Sequence, residues 1–318
     1  MLRRSFLLLL ALLATTATSL RAQELQSKSI SVVAPGQPGG TTDLIARAFI
    51  PELQRRLGRS IVVDNRPGAG GLIGVMACVQ AAPDGHTWVV ANESMLALPN
   101  FVKTSFNPEK DLVPVAIVTR ASHMLFSSSA LPVRSVAELI AWGKANPGKL
   151  NVGVIGNSTQ YLQSLRFMRM TGLQGQTIPF SGNPAIMQAM LAGSVDFALA
   201  SGSAFFEQAK AGRVRPLAVA SAQPHPSAPT APTLRGAGLD FEAETWQGFF
   251  VPAATPAPLV ARFGAEIIAA AKQPEVDAML RNQGYFVDTA SGDAMRSMVL
   301  QAIRTGTETA QQYGIKAQ

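Results

Sequence analysis

The sequence predicts an α/β protein of two doubly wound domains joined by a two-crossing hinge, and three observations carry that prediction. Apolar runs of strand length alternate with amphipathic stretches at helical spacing along most of the chain. Two of those runs, Ile30 to Ala34 and Leu150 to Ile155, feed polar loops that open helices. A stretch from Gln223 to Thr233 holds Pro224, Pro226, Pro229 and Pro232, which forbids regular structure and suits a return linker. The expected division is a leader at 1–22, a discontinuous first domain at 23–120 and 225–318, and a second domain at 121–224.

The leader has the order of an export signal. Arg3 and Arg4 are charged, Phe6 to Leu13 are apolar, and Ala22 is a cleavage residue, so the mature chain is expected to begin at Gln23 in the periplasm. The apolar run is too short to span a bilayer. Arg3-Arg4-Ser5-Phe6-Leu7 fits a twin-arginine signal, and the Leu-rich run fits the general secretory route. No Cys stands near the cleavage residue for a lipid anchor. Setting aside Arg3, Arg4 and Arg21 from the 27 basic residues leaves 24 against 20 acidic ones, a mature charge of about +4. That balance favours soluble anions, and the absence of any Lys/Arg-rich run argues against nucleic acid. Cys78 is the one cysteine, set in an apolar helical pattern from Leu72 to Ala81, and reads as a buried, inert thiol.

The first strand, Ile30 to Ala34, leads into a loop where Gly36, Gly39 and Gly40 permit close approach of a ligand and Pro35 and Pro38 add stiffness. Thr41 or Thr42 is expected to cap the helix that follows, whose apolar stripe is Leu44, Ile45, Ala48, Phe49, Leu53 and Leu57. Its first-turn N–H groups face the loop and make an anion site. An ordinary βα turn that needs glycine for geometry explains the stretch equally well. A second strand at Ile61 to Asp64, a Gly-rich loop, a helix from Leu72, and a third strand at Thr87 to Ala91 repeat the device. Alternating elements of this kind argue for a parallel sheet, with ligands at the carboxyl ends of its strands, where Gly39, Gly40 and Asn92 to Ser94 lie.

Val113 to Thr119 and His123 to Ser127 read as two extended runs that carry the chain into the second domain. Ser135 and Glu138 have capping-box spacing, and Pro147-Gly148 ends that helix. The strand Leu150 to Ile155 then reaches the polar loop Gly156 to Gln160. Further strands are expected at Thr177 to Phe180, Val195 to Ala200 and Pro216 to Ala220, with helices at Pro184 to Leu191 and Ala204 to Ala211. After the proline-rich return, Trp246 to Val251 reads as a strand and Pro258 to Lys272 and Asp293 to Gln312 as helices. Two crossings make a hinge that lets the domains close on a ligand.

With both polar loops in view, the chain resembles the extracytoplasmic solute-binding receptors of the tripartite tricarboxylate transporter system, the Bug family. The resemblance spans nearly the whole mature chain and rests on Pro38-Gly39-Gly40 with Asp43 and Ala46-Arg47, on Val62 to Gly71 followed by Ile73-Gly74, and on Pro83 to Thr87. It continues through Ala192 to Asp196, Leu217 to Val219, and Trp246 to Phe249 with Pro252. It implies a type II periplasmic-binding-protein fold in which two loops grip a carboxylate, partly through ordered waters. Carried over by position, the first loop is Gly39, Gly40, Thr41, Thr42 and Asp43, and the second is Asn157, Ser158, Thr159 and Gln160, with Ser181 beside them. The implied partners are a small organic acid and the membrane subunits of a transporter. No cofactor or metal is implied, and a monomer is expected. Three departures bear on the ligand. Ala34-Pro35-Gly36-Gln37 replaces a Pro-Phe-Pro-Pro-like run, Tyr161 stands where His is common, and Phe180-Ser181-Gly182 lacks a frequent Lys or Arg. A mono-carboxylate or aromatic acid therefore fits as well as a tricarboxylate.

Asp43 invites a catalytic or ligand-amine role, but an acid in a first helical turn also complements the helix dipole, which is the reading adopted. Asn65 and Arg66 are expected to brace the loops, with Arg66 alternatively reaching a ligand. His86, His123 and His225 are dispersed, and no His/Cys/Asp/Glu set has metal-ligand spacing. Neither a Gly-x-Ser-x-Gly elbow nor a phosphate-binding Gly-x-x-x-x-Gly-Lys loop is present. Binding without catalysis is thus the first reading. An exported enzyme acting on a small acid, or a sensory receptor signalling to a membrane kinase, is the alternative.

Overall fold

A computed structural model describes residues 29–317 apart from 226, 283 and 284, so the leader and its cleavage residue lie outside the described residues. In chain order the first elements are β1 (Ile30–Ala34), α1 (Thr41–Leu57), β2 (Ile61–Asn65), α2 (Leu72–Val79), β3 (Thr87–Asn92), the short α3 (Glu93–Leu96) and α4 (Pro108–Asp111). The long β4 (Leu112–Ser128) follows, then α5 (Val136–Ala145), β5 (Leu150–Ile155), α6 (Thr159–Thr171), β6 (Gly175–Phe180), α7 (Asn183–Leu191), β7 (Phe197–Ser201), α8 (Phe206–Lys210) and β8 (Val214–Val219). The chain ends with β9 (Glu244–Pro252), α9 (Ala257–Ala271), α10 (Pro274–Asn282), β10 (Phe286–Ser291) and α11 (Gly292–Gln312).

Among the described residues ten strands join one sheet, and β4 is the strand common to its two halves. The two extended runs expected on either side of Arg120 are one unbroken strand of 17 residues. Its first part pairs with β9 and β10 and its last part with β7 and β8. The sheet is mixed rather than wholly parallel. Strands β2, β1 and β3 are parallel to one another, as are β6, β5 and β7, whereas β9 runs antiparallel to both β3 and β4. The cause is the crossing itself: β9 re-enters the first half from the far end, against the direction in which β4 left it.

Each half buries both faces of its sheet, as strands flanked by helices on two sides must. In the first lobe Trp88 and Val90 point to one face with Phe49, Phe249 and Phe263, while Val89 and Ala91 point to the other with Phe250, Met295 and Val299. Alternation with period two along β3 and β9 produces this division. Trp88 packs on Phe263 with centroids 4.7 Å apart. In the second lobe Phe126 stacks on Phe205 at 4.5 Å, and Phe167 meets both Phe197 and Phe241 edge-on. A buried Phe of this kind contributes about 2 to 3 kcal/mol relative to exposure.

The proline-rich return is longer than its composition suggests. Ala228, Ala231, Leu234, Phe241 and Ala243 pack into the second lobe's cores, and β9 begins its pairing with β4 at Glu244. There His123 N–H donates to Ala243 O at 2.9 Å, Ala243 N–H to Ala220 O at 2.8 Å, and Ala220 N–H to His123 O at 2.8 Å, tying the two crossings together.

Candidate functional site

The loop after β1 is held from within. Gly39, at φ +79°, donates its N–H to Asp43 Oδ2 at 2.8 Å, and Gly40 N–H donates to Gln37 O at 2.9 Å. Gly40 is the N-cap residue of α1 with ordinary extended angles, φ −76° and ψ 169°, and no side chain caps the helix. Thr41 and Thr42 therefore do not cap as expected, because both already lie inside the first turn. Among the described residues nothing accepts from the N–H groups of Thr41 and Thr42. The Thr42 hydroxyl is also without a partner although the residue is only 3% exposed. Thr41 Oγ1 meets the Tyr285 hydroxyl at 2.9 Å.

Asp43 is a brace. Its carboxylate accepts from Gly39 N–H, from Asn65 Nδ2 at 3.0 Å, and from Arg47 Nε at 2.9 Å. Burial alone would push its pKa up. The hydrogen bonds from Arg47, Gly39 and Asn65, with the charge of Arg47, outweigh that and hold the group below the ordinary carboxylate value. Asn65 also donates to Gly36 O at 3.2 Å, as its expected bracing role requires. Arg66 pairs with Asp64 at 2.7 Å rather than turning to a ligand.

The second loop is likewise occupied. Ser158 caps α6, accepting from Tyr161 N–H at 3.3 Å and donating to Ile155 O at 2.7 Å. Gln160 is buried and turned inward, accepting from Ile155 N–H and donating to Leu199 O. Asn157, at φ +51°, and Ser181 are exposed at the ends of β5 and β6. Thr159 reaches across to the first lobe. Its hydroxyl lies 2.7 Å from Ser94 Oγ and 3.2 Å from Glu93 Oε1, and its N–H donates to Ser94 Oγ at 3.3 Å.

Glu93 meets the second loop and Tyr285 the first; Glu93 lies in the Asn92 to Ser94 stretch expected at a strand's carboxyl end, whereas Tyr285 was not among the residues expected from the sequence. Glu93 Oε2 accepts from Trp246 N–H at 3.0 Å. Burial pushes the Glu93 carboxyl above its usual value, opposed by the bonds from Trp246 N–H, Thr245 and Thr159. Burial also raises the Tyr285 hydroxyl, with the bond to Thr41 opposing and the charge of Glu93 adding to the rise. A charged residue directly after the buried strand Thr87–Asn92 was a readable signal for Glu93. Tyr285 had none, because it lies between α10 and β10, neither of which the sequence pattern disclosed.

Other titratable groups stand apart from this cleft. His123 is buried in the crossing and pushed down to about 4 by desolvation, so its neutral ring donates through Nδ1 to Gln163 Oε1 at 2.6 Å. Cys78 is buried and pushed up to about 12 by desolvation, which leaves it an unreactive thiol at neutral pH. Among the described residues no group of three or more His, Cys, Asp or Glu is placed to hold a metal ion. A groove of about 740 Å³ between α9, α11 and the start of β4 lies away from the strand-end loops and contains none of their residues. Its lining includes Lys110 and Arg296 but neither of the two helix starts that face the cleft.

Comparison with known proteins places this geometry in context. A model of the tripartite tricarboxylate transporter family receptor matches residues 45–309. The structure of periplasmic binding protein BugD is 26% identical, covers 92% of this chain and 99% of its own, and superposes with a TM-score of 0.76. MatC (Rpa3494) from Rhodopseudomonas palustris with bound malate is 29% identical, with 89% and 99% covered and a TM-score of 0.74. Rpa4515 of R. palustris with adipate is 28% identical, with 92% and 99% covered and a TM-score of 0.79. The fold is that of the periplasmic binding proteins, and the chain belongs to the tripartite tricarboxylate transporter receptor family.

Proposed function

We propose that the protein is a periplasmic receptor that captures a small organic acid by its carboxylate and delivers it to the membrane subunits of a tripartite transporter. The observation that carries this reading is the start of α1, where two N–H groups and one buried hydroxyl lack acceptors beside a hinged cleft. Helix N-termini with unmet donors attract anions, and several donors share the charge without a salt bridge. The lobes are 29–120 with 244–317 and 121–243, each contributing one loop. Gly39, Gly40 and Asp43 shape the first loop, Thr41 and Thr42 present its donors, and Asn157 and Ser181 border the second, whose remaining residues hold it closed. Export with cleavage near Ala22, a monomeric state and the absence of turnover complete the proposal. The relatives with bound malate and with adipate support the carboxylate class.

Native mass spectrometry of freshly purified protein should reveal a retained organic acid, unchanged on release. Thr42→Val removes the unpartnered hydroxyl at nearly constant shape. It should weaken carboxylate binding by about 1 to 2 kcal/mol, roughly fivefold to thirtyfold, in calorimetry. Unaltered affinity in a folded variant would place the carboxylate elsewhere, and chemical conversion of the bound acid would favour an enzyme.

A further inference from the structure

Two helix starts, on opposite lobes, border the cleft, and they differ in one respect. The Thr41 and Thr42 N–H groups of α1 are unmet, whereas at α6 the N–H groups of Thr159 and Tyr161 and the Thr159 hydroxyl already have partners inside the protein. Ser158 caps α6, Ser94 accepts the Thr159 N–H at 3.3 Å, and the Glu93 carboxyl accepts the Thr159 hydroxyl at 3.2 Å. Building on the proposed function, we infer that Glu93 is a resident carboxyl group filling the seat at the start of α6, so that the site selects ligands with one carboxylate over dicarboxylates. Glu93 is thereby the specificity-determining residue of this receptor.

The placement of Glu93 makes the seat hard to vacate. Its second oxygen is held by Trp246 N–H at 3.0 Å, on its own lobe, so opening the hinge separates it from Thr159 without dislodging it. The residue is only 7% exposed, and Tyr285 is the titratable group whose properties register its charge. A ligand bound by one carboxylate at α1 and bringing a second towards α6 would have to displace this side chain or sit against it. Displacement strands a buried acid, and juxtaposition crowds a second carboxylate against donors that Glu93 already occupies. The seat is filled whether Glu93 carries its proton or not. Among the described residues, three arginines of the neighbouring elements are already paired and do not offset a second charge. Arg47 is paired with Asp43, Arg66 with Asp64, and Arg120 with Asp288 and Glu244. Malate and adipate, the acids named with two relatives, each carry two carboxylates, so this residue predicts a ligand class different from theirs.

The test is a set of matched pairs that differ only in the second carboxylate: butyrate and succinate, hexanoate and adipate, benzoate and terephthalate. Each is titrated by calorimetry into wild type, Glu93→Gln and Glu93→Ser, with circular dichroism as the check on folding. Glu93→Gln keeps an oxygen for Trp246 N–H while turning an amide donor to the seat. It therefore remains informative if the serine variant is unstable. Wild type should prefer the mono-acid by tenfold or more in the tightest-binding pair, and the substitution should lower that preference by tenfold or more through a gain in diacid affinity. Equal affinity for both acids in wild type, or an unchanged ratio in a folded Glu93→Gln, overturns the role of Glu93 while leaving the carboxylate receptor intact. Failure of every acid to bind wild type overturns the proposed function and this inference together.

Discussion

Replacing Asp43 by Asn separates a bracing role from a ligand-binding one, because the shape is kept while one acceptor becomes a donor. Each carboxylate oxygen of Asp43 accepts from Arg47 Nε and from one further group, Asn65 Nδ2 on one side and Gly39 N–H on the other. An amide oxygen can serve only one side, so a buried donor is left facing another donor. That costs about 1 to 3 kcal/mol. The Arg47 pair adds under about 1 kcal/mol, because that side chain is 52% exposed and screened by water. A total near 2 to 3 kcal/mol should lower the melting temperature by roughly 3 to 6 °C for a chain of this length. The folded pKa of Asp43 is depressed, so its stabilising effect is present above the unfolded value of 3.8 and is lost as pH falls through the folded value. The gap between wild type and Asp43→Asn, followed by urea unfolding, should thus be widest near neutrality and narrow in acid. Arg47→Ala should cost less than Asp43→Asn. An equal cost for the two, or no cost for Asp43→Asn at pH 7, would refute the brace.

His123 is pushed from 6.5 to about 4, so the unfolded chain binds the extra proton first and stability should fall as pH drops from about 6.5 towards 4, by roughly 3 kcal/mol at the limit. His123→Asn, whose amide can donate to Gln163, should flatten that part of a melting-temperature profile, and an unchanged slope would assign the titration to other groups. Thr159→Val removes the hydroxyl that links Ser94 and Glu93 across the lobes, and should weaken closure by about 1 to 2 kcal/mol. Small-angle scattering should then show a larger radius of gyration than wild type at the same ligand saturation, and an identical radius would mean that closure rests on the apolar contacts of Phe101, Leu162 and Ala310.

Local pattern made most of the architecture legible. Ile30–Ala34 and Leu150–Ile155 have the expected bounds because a short apolar run closed by Gly or Pro has few other ways to fold. Ser135 accepts from Glu138 N–H at 3.1 Å as its capping-box spacing predicts, although the Glu138 carboxylate reaches Arg134 N–H rather than Ser135. Pairing over long separations was hidden. Nothing in Val113 to Ser127 says that one strand serves two sets of neighbours, because that depends on partners between 86 and 140 residues away. The same limit applies to the site. The glycine loop is where an anion seat is proposed, but the capture of Gly39 N–H by Asp43 depends on a local turn geometry that glycine permits without specifying. Thr159 was identified, yet its partners Glu93 and Ser94 come from another lobe, and Tyr285 joins Thr41 from 244 residues away.

A strand threaded through both halves of the sheet means that neither lobe is a removable module. Excising residues 121–243 would take from the first lobe the continuation of β4 and from the second the run that leads into it, exposing unpaired edges on both. Calorimetric unfolding should therefore give one transition for the whole molecule, and grafting one lobe onto a relative's partner lobe should succeed only when the junctions preserve β4 from Leu112 to Ser128. Opening has a mechanical counterpart. The pivot at this crossing is a continuous ribbon that twists and bends while keeping its ladder, so the lobes move on a spring whose stiffness is set by the side chains packed along it, with Arg120 and His123 at its midpoint.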